Sequence, residues 1–468
     1  MATQVDLILI GRHVVPVVPE GVVLENHAIV VEKGIIKAIL PAADAAALYT
    51  ATETVDLKDH ILIPGLVNAH THSSMTLLRG LADDKPLCDW LIEDIWPAEG
   101  KFVNDEFVRD GTLHSAAEML RSGTTCANEM YFFPDAAAST FEQIGMRALV
   151  GQIVMEFPCA YGSGPADYFE KARAMFIKYK DSRLVKMSMA PHAPYTVSDA
   201  SFAKVVDLAK EFNARIHLHL HETEAECVDS QNKHASMSCH LSDQHCRPVQ
   251  NMQRLGVLTD QLIAAHMTQL TDDEVDAVVA AGTHVAHCPT SNLKLASGLC
   301  RVTDLLARGA NVAIGTDGAA SNNTLNMFSE MKLAAILAKA ESKQSTSVPA
   351  ATALRMATLN GAKAVGMDHL IGSLEVGKFA DIVAVSTDSI EMLPMYSAIS
   401  HLVYVTGREK YVVRVTLVSD VWVAGKRLLN ARKLTTIDEA EVKSHCKKWH
   451  DAIRDHHAEM EAKKAAQE

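Results

Sequence analysis

The sequence predicts an α/β protein: a (β/α)8 TIM-type barrel joined to a small composite β-sandwich domain built from both termini. Three observations predict it. Strand-like and helix-like runs alternate eight times through the middle of the chain, β-rich segments flank that middle on both sides, and residues of metal-ligand or acid–base type end five of the eight strand runs.

At 468 residues the chain has room for one barrel of roughly 250 residues and an accessory unit. Residues 1–60 carry short β-rich runs, Val5–Ile10, His27–Val31 and Ile35–Ile39, broken by Gly and Pro. The same texture returns over 373–435, in Ala380–Val385, Val412–Val418 and Val421–Gly425, so the two ends are expected to meet in one sheet domain. Residues 61–372 form the expected barrel. Its strand runs are Ile61–Asn68, Thr124–Asn128, Arg147–Met155, Val185–Ala190, Arg215–Leu220, Leu262–Ala265, His284–Ala286 and Asn311–Gly315. Helical periodicity fills the gaps between them, as in Phe107–Arg121, Ala166–Tyr179, Ser198–Phe212, Asp272–Ala281 and Thr303–Arg308. The last stretch, 436–468, is rich in Ala, Glu, Lys and His and reads as a helix with a frayed, solvated end.

Composition narrows the function classes. Charged residues make up 22% and hydrophobic residues 48%, the balance of a soluble globular protein. A net charge of −13 without any Lys/Arg cluster excludes a polyanion footprint, so nucleic acid is not an expected partner. No basic n-region opens the chain and no apolar run reaches membrane-spanning length, so no membrane partner is expected either. Nine scattered cysteines without a Cys-x-x-Cys suit a reducing compartment, and a cytoplasmic location is the expectation.

A barrel collects its active site at the carboxyl ends of its strands, which gives the polar strand ends their meaning. His70 and His72 close the first run one residue apart, and alternate side chains of a strand share a face. His192 ends the fourth run, His219 the fifth, His266 the sixth and Asp317 the eighth. In Arg215-Ile-His-Leu-His-Leu-His-Glu222 the residues His217, His219 and His221 share one face, and only one or two of them can sit at the height of a metal. Glu222 lies just past that strand, where a carboxylate can exchange protons with a bound substrate. Taken alone, Asp317 would also serve as a helix N-cap and Glu99 as a turn cap. A metal that activates water needs about three protein ligands, an open position and nearby proton carriers, and this set supplies candidates for each.

Pro64-Gly-Leu-Val-Asn-Ala-His-Thr-His72, His219-Leu-His-Glu222, His266 and Gly315-Thr-Asp317 resemble the signatures of the amidohydrolase superfamily, in its branch of cytosine-, guanine- and adenosine-type aminohydrolases. More narrowly, Leu91-Ile-Glu-Asp-Ile-Trp-Pro-Ala-Glu99, Ala190-Pro-His-Ala-Pro-Tyr-Thr196 and Ser291-Asn-Leu-Lys-Leu-Ala-Ser-Gly298 resemble the 5-methylthioadenosine/S-adenosylhomocysteine deaminase family, over nearly the whole chain. The resemblance implies His70, His72, His219 and Asp317 as ligands of one divalent metal, Zn²⁺ foremost with Fe²⁺ and Mn²⁺ as alternatives. It makes Glu222 the proton shuttle to the purine ring and Asp317 the acceptor of the water's proton. His266 would polarise the water or oxyanion, Glu99 would hold the ribose hydroxyls and His192 would contact the nucleoside. Many binuclear relatives carry a bridging lysine at the end of strand four, and His192 in its place implies a single metal. The implied partners are a small purine nucleoside and further copies of the same chain, in a homo-oligomer.

Two rival readings stand beside this one: an aminohydrolase of a free base or triazine, and a non-catalytic barrel used for protein interaction. One stretch departs from the family: Cys227 to Cys246 holds three cysteines and three histidines, and is read as a loop over the fifth strand's end.

Overall fold

The computed structural model describes residues 2–233, 246–406 and 417–465. Most of the Cys/His-rich stretch, and all but the last residues of the expected Val412–Val418 strand, lie outside the described residues.

Four strands open the chain: β1 (Thr3–Val14), β2 (Leu24–Glu32), β3 (Ile35–Pro41) and β4 (Tyr49–Pro64). Eight barrel strands come next, namely β5 (Leu66–Thr71), β6 (Thr124–Met130), β7 (Arg147–Val154), β8 (Val185–Pro191), β9 (Ile216–Leu220), β10 (Leu262–His266), β11 (His284–His287) and β12 (Asn311–Ile314). Then come β13 (Ile382–Ser386), β14 (Val418–Val423), β15 (Lys426–Asn430) and β16 (Lys433–Leu434). The barrel strands pair in sequence order, each with its neighbour in parallel from β5 to β12. Parallel strands covered on both faces need apolar side chains almost throughout, which is why these runs read as continuous hydrophobic stretches. The terminal strands form one mixed sheet in the order β16-β15-β14-β13-β4-β1-β2-β3, so the two ends of the chain do meet.

One expected strand is two. The run Ile61–Asn68 divides at Gly65: Ile61–Pro64 belongs to β4, paired antiparallel with β13 and parallel with β1, and only Leu66 onward enters the barrel. The reason is local. A Cβ at Gly65 would collide with the Thr125 side chain, so this glycine lets the chain cross tightly from one sheet to the other while its N–H bonds the Asp381 carbonyl at 2.9 Å.

Two contacts fix barrel to sheet and terminus. Arg147 at the start of β7 makes a bidentate pair with Asp381 beside β13, Nε–Oδ2 2.9 Å and Nη2–Oδ1 3.0 Å, with both side chains buried. The C-terminal helix, Glu439–Ala465, is the second contact: it forms as expected, and the body that precedes its exposed end is docked. Val442, Trp449 and Ile453 are buried, and the Trp449 indole N–H donates to Asp110 Oδ2 at 2.9 Å. The spacing of those three residues is an apolar helical stripe that Lys, Glu and His outnumber.

Removing one partner of a buried pair strands the other charge. Arg147→Ala is therefore expected to lower the unfolding free energy by about 3–5 kcal/mol, read from the urea midpoint. Arg147→Met with Asp381→Leu should recover most of that loss, less the bond Asp381 accepts from the Ala424 N–H.

Candidate metal centre and active site

The seam between β12 and β5 is where the site begins. Asp317 N–H donates to the His70 carbonyl at 2.9 Å, and the Asn68 side chain both accepts from Thr316 N–H at 3.0 Å and donates to Thr316 Oγ1 at 2.7 Å. Closing the barrel this way brings the end of the eighth strand against the His-x-His of the first. Asp317 Oδ1 lies 3.4 Å from His70 Nε2 and 3.2 Å from His72 Nε2. Its other oxygen accepts from Ser291 Oγ at 2.6 Å and Ser321 Oγ at 3.1 Å, so the carboxylate is held from behind and presents Oδ1 to the histidines.

His219 completes a four-residue cluster, with Nε2 at 3.2 Å from His72 Nε2. Each imidazole is pinned through Nδ1: His72 to the Met130 carbonyl, His219 to the His192 carbonyl at 2.8 Å, and His70 to His217 Nε2 at 2.8 Å. A carbonyl can only accept, so Nδ1 of His72 and His219 must carry the proton, and their Nε2 lone pairs are left facing the cluster; the tautomers are set by the partners. His70 Nε2 is buried without a hydrogen bond. Two overlapping groupings, His70–His72–His219 and His70–His266–Asp317, converge here, and their imidazole nitrogens and carboxylate oxygen are a donor set suited to a divalent cation such as zinc.

Burial alone would lower His72, but its contact with the Asp317 carboxylate raises the ring to about 9, so the two share a proton that a cation held between them would displace. Burial alone would raise the Asp317 carboxyl, but the contacts with His70 and His72 outweigh it and hold the group well below the usual range, ionised. Burial lowers His70 to about 4 and His219 well below the ordinary imidazole value, which keeps both neutral and available as ligands.

Next to the cluster stand the candidate proton carriers. His266 Nε2 is 3.8 Å from Glu222 Oε2, and its Nδ1 pairs with Asn292 Oδ1 at 2.9 Å. Burial raises the Glu222 carboxyl, the His266 ring works against that rise, and Asp317 adds to it. His266 and Asp317 both adopt left-handed backbone, with φ 74° and 64°, conformations that cost a non-glycine residue about 1–3 kcal/mol and that gather at working sites. The Glu226 carboxylate accepts the N–H groups of His221 and Glu222, at 3.0 and 2.7 Å, and so shapes the turn that presents Glu222.

Above the cluster opens a cavity of about 410 Å³. His72, Glu99, His192, His219, Glu222, His266 and Asp317 all line it; His70 lies behind them, fully buried. All eight candidate residues thus come together at one barrel mouth. Glu99 is on a helix, Trp96–Phe102, that roofs the cavity, and Tyr131 Oη donates to its Oε1 at 2.6 Å. Burial raises the Glu99 carboxyl to about 7 against the pull of that bond. His192 Nδ1 pairs with Thr196 Oγ1 at 3.0 Å. The open choice among three histidines is settled by geometry: His217 and His219 face the cluster, whereas His221 turns away, accepting the Val249 N–H at 3.0 Å. Sequence reasoning missed Tyr131 and the orienting role of His217, and quoted Ser291 and Asn292 within a motif without giving them roles. The alternation of 217 with 219 was the signal for His217.

Metal analysis of purified protein is expected to give one divalent ion per chain, and Asp317→Ala or His72→Ala should lose that ion together with activity. A stoichiometry near two contradicts the single cluster.

Comparison with known proteins agrees with this architecture. The model of the amidohydrolase family matches residues 61–428. A 5-methylthioadenosine/S-adenosylhomocysteine deaminase of Saccharophagus degradans is 41% identical over 97% of this chain and 98% of its own length, and one from Teredinibacter turnerae is 39% identical over 96% and 98%. A crystal structure of an adenosine deaminase from Xanthomonas campestris with bound zinc superposes with TM-score 0.93 at 47% identity, covering 97% of this chain and all of that one. A zinc-bound atrazine chlorohydrolase from Arthrobacter aurescens, 21% identical with TM-score 0.83 over 95% of this chain and all of its own, shares the fold. With a family match over most of its length and relatives of this identity, the chain belongs to the amidohydrolase family, among the members most similar to the 5-methylthioadenosine/S-adenosylhomocysteine deaminases.

Proposed function

We propose that the protein is a metal-dependent hydrolytic deaminase that converts the adenine of a nucleoside to hypoxanthine and releases ammonia, with His70, His72, His219 and Asp317 holding one ion, Zn²⁺ by preference. The observation that carries the reading is Glu99: a buried carboxylate, steadied by Tyr131, in the roof of the same cavity that Glu222 and Asp317 enter from below. Only a substrate with hydroxyls beyond its base has use for it. A bound divalent ion supplies a water acidified to near pH 7. The chain supplies the rest. Asp317, held ionised, accepts the attacking water's proton as oxygen adds to C6. Glu222, whose carboxyl burial raises above its ordinary range, gives a proton to N1 so that the ring accepts the added electrons. His266 Nε2 faces the oxygen being added. Asp317 then passes its proton to the exocyclic amine, which leaves as ammonia; N1 keeps its proton in the product, and the hydroxyl proton released as the C6 carbonyl forms restores Glu222.

The choice of 5′ substituent rests on the cavity's chemistry. Among the described residues no Lys or Arg lines it, while Ile95, Met155, Phe157 and Pro158 do. A neutral methylthio group suits such a wall, and the carboxylate of an amino-acid tail meets no Lys or Arg among the described lining residues. The proposal also includes a cytoplasmic location and assembly with copies of the same chain, the latter read by sedimentation. Among the described residues no helix is long and apolar enough to cross a membrane.

An ultraviolet assay panel of methylthioadenosine, adenosine, S-adenosylhomocysteine, adenine, guanine and cytosine tests the proposal. Methylthioadenosine should give the highest kcat/KM; faster turnover of a free base favours the rival reading. A 2′,3′-dideoxy analogue should lose at least about tenfold in kcat/KM, because the Glu99 carboxylate is left unpaired, and Glu99→Ala should erase most of that difference.

Glu222→Gln is expected to keep its metal and lose about 10²–10⁴-fold in kcat. The sign of the pH effect is fixed by the direction of the shift. A raised carboxyl pKa keeps Glu222 protonated further up the pH scale, so kcat should fall as pH rises through that pKa, and Glu222→Gln should lack this alkaline limb. Metal loss in the Gln variant would make Glu222 a ligand instead.

A further inference from the structure

The roof of the cavity meets another element on its outer side. It consists of a short helix Leu87–Trp90, one π-helical turn Leu91–Ile95 and the helix Trp96–Phe102. Trp90, Leu91, Ile95 and Glu99 line the cavity. Asp94, Pro97 and Ala98 instead line a crevice whose far wall is the C-terminal helix, through Ile453, His456 and His457. A π turn inserts one extra residue and rotates the next turn of helix about the axis, which here leaves Asp94 on the outer face while Ile95 and Glu99 stay on the inner one.

Asp94 is buried within this layer and bonds in two directions. Lys85 Nζ reaches Oδ2 at 2.6 Å from the start of the roof, and His457 Nε2 lies 3.2 Å from Oδ1 on the C-terminal helix. Further along, Lys101 Nζ meets His456 Nδ1 at 2.9 Å, and the Phe102 and His456 rings pack edge to face at 5.5 Å. The helix itself is anchored one to three turns earlier, by Trp449 on Asp110 and by buried Ile453. The barrel scaffold therefore reaches the outer face of the roof by a route separate from the Tyr131–Glu99 bond on its inner face.

We propose that the C-terminal helix is the outer support of the substrate site, with His457 and Asp94 as positioning residues that set the roof and, through it, the Glu99 carboxylate. Its effect on substrate rests on the ribose-binding reading of Glu99; its effect on the roof does not. Residues far from the reacting atoms then govern nucleoside affinity, because displacing a positioning group by a fraction of an ångström weakens the bonds it makes.

The test compares His457→Ala and the double variant His457→Ala/Ile453→Ser with wild type, as full-length metal-loaded enzyme. Amide exchange should quicken over Leu87–Phe102 and stay unchanged in β5–β12. KM for methylthioadenosine should rise by roughly fivefold or more with kcat within about twofold, and the ribo-over-dideoxy preference should shrink. Metal content should not move, and His457→Lys, which keeps a donor for Asp94, should restore most of the affinity. His457→Ala leaves the Val442 and Trp449 anchors intact, so it carries the test if the double variant does not fold. Unchanged exchange over the roof overturns the proposal, as does quickened exchange with unchanged KM in an enzyme whose KM does respond to Glu99→Ala. If Glu99→Ala leaves KM and the dideoxy preference untouched, the ribose reading is what fails, and exchange alone decides the support.

Discussion

The structure depends on what happens at one residue, Asp317, where closing the barrel and assembling the cluster are the same event. Its backbone N–H bonds the His70 carbonyl, which joins the last strand to the first, and its carboxylate stands against the His70 and His72 rings. Neither contact is available to a chain that has folded only part of the barrel. The buried carboxylate is kept ionised by the imidazoles it meets, and His70 and His219 are kept neutral by the burial that closure brings. The left-handed backbone at Asp317 is sustained by this surrounding structure, including the Gly318 N–H bonded to Oδ1 at 2.7 Å.

Two carboxylates lining one cavity are driven in opposite directions by their surroundings, and that divergence assigns their chemistry. Asp317 faces two imidazoles and is pushed down; Glu222 faces burial and the Asp317 charge and is pushed up, with the His266 ring foremost in opposing the rise. One is pushed toward the proton-accepting role proposed for it and the other toward the proton-donating one, without any difference in side-chain type beyond a methylene. Glu99 is a third case. Burial raises it, yet its strong bond from Tyr131 commits one oxygen and fixes the direction of the other, which suits binding better than proton transfer.

Much of this was legible in the sequence because a barrel writes its site in a simple code. Period two within a strand put His70 with His72 and His217 with His219, and the strand ends gave the shared height. What the code does not contain is orientation from other elements. That His72 is turned by the Met130 carbonyl, or His219 by the His192 carbonyl, depends on main-chain atoms that carry no residue identity. Tyr131 lies beyond the expected strand Thr124–Asn128, and nothing in its spacing from Glu99 links the two. The apolar run through Gly65 misled for a related reason: hydrophobicity marks burial, and both sheets bury their halves of it equally well.

The C-terminal helix makes the same point from the opposite side. Its composition is that of a solvated helix, because Val442, Trp449 and Ile453 face inward while charged residues fill most of the rest. Average composition weights every face alike, whereas docking depends on one stripe and on a single indole hydrogen bond. The mouth of the barrel is roofed by three short helical segments that bury Trp90 and Ile95 inward and meet the last helix on their outer face. The terminal sheet supports the barrel from below through Arg147 and Asp381, and the last helix of the chain backs the roof from outside. The segments that look accessory in the sequence are thus the ones against which the catalytic mouth is braced.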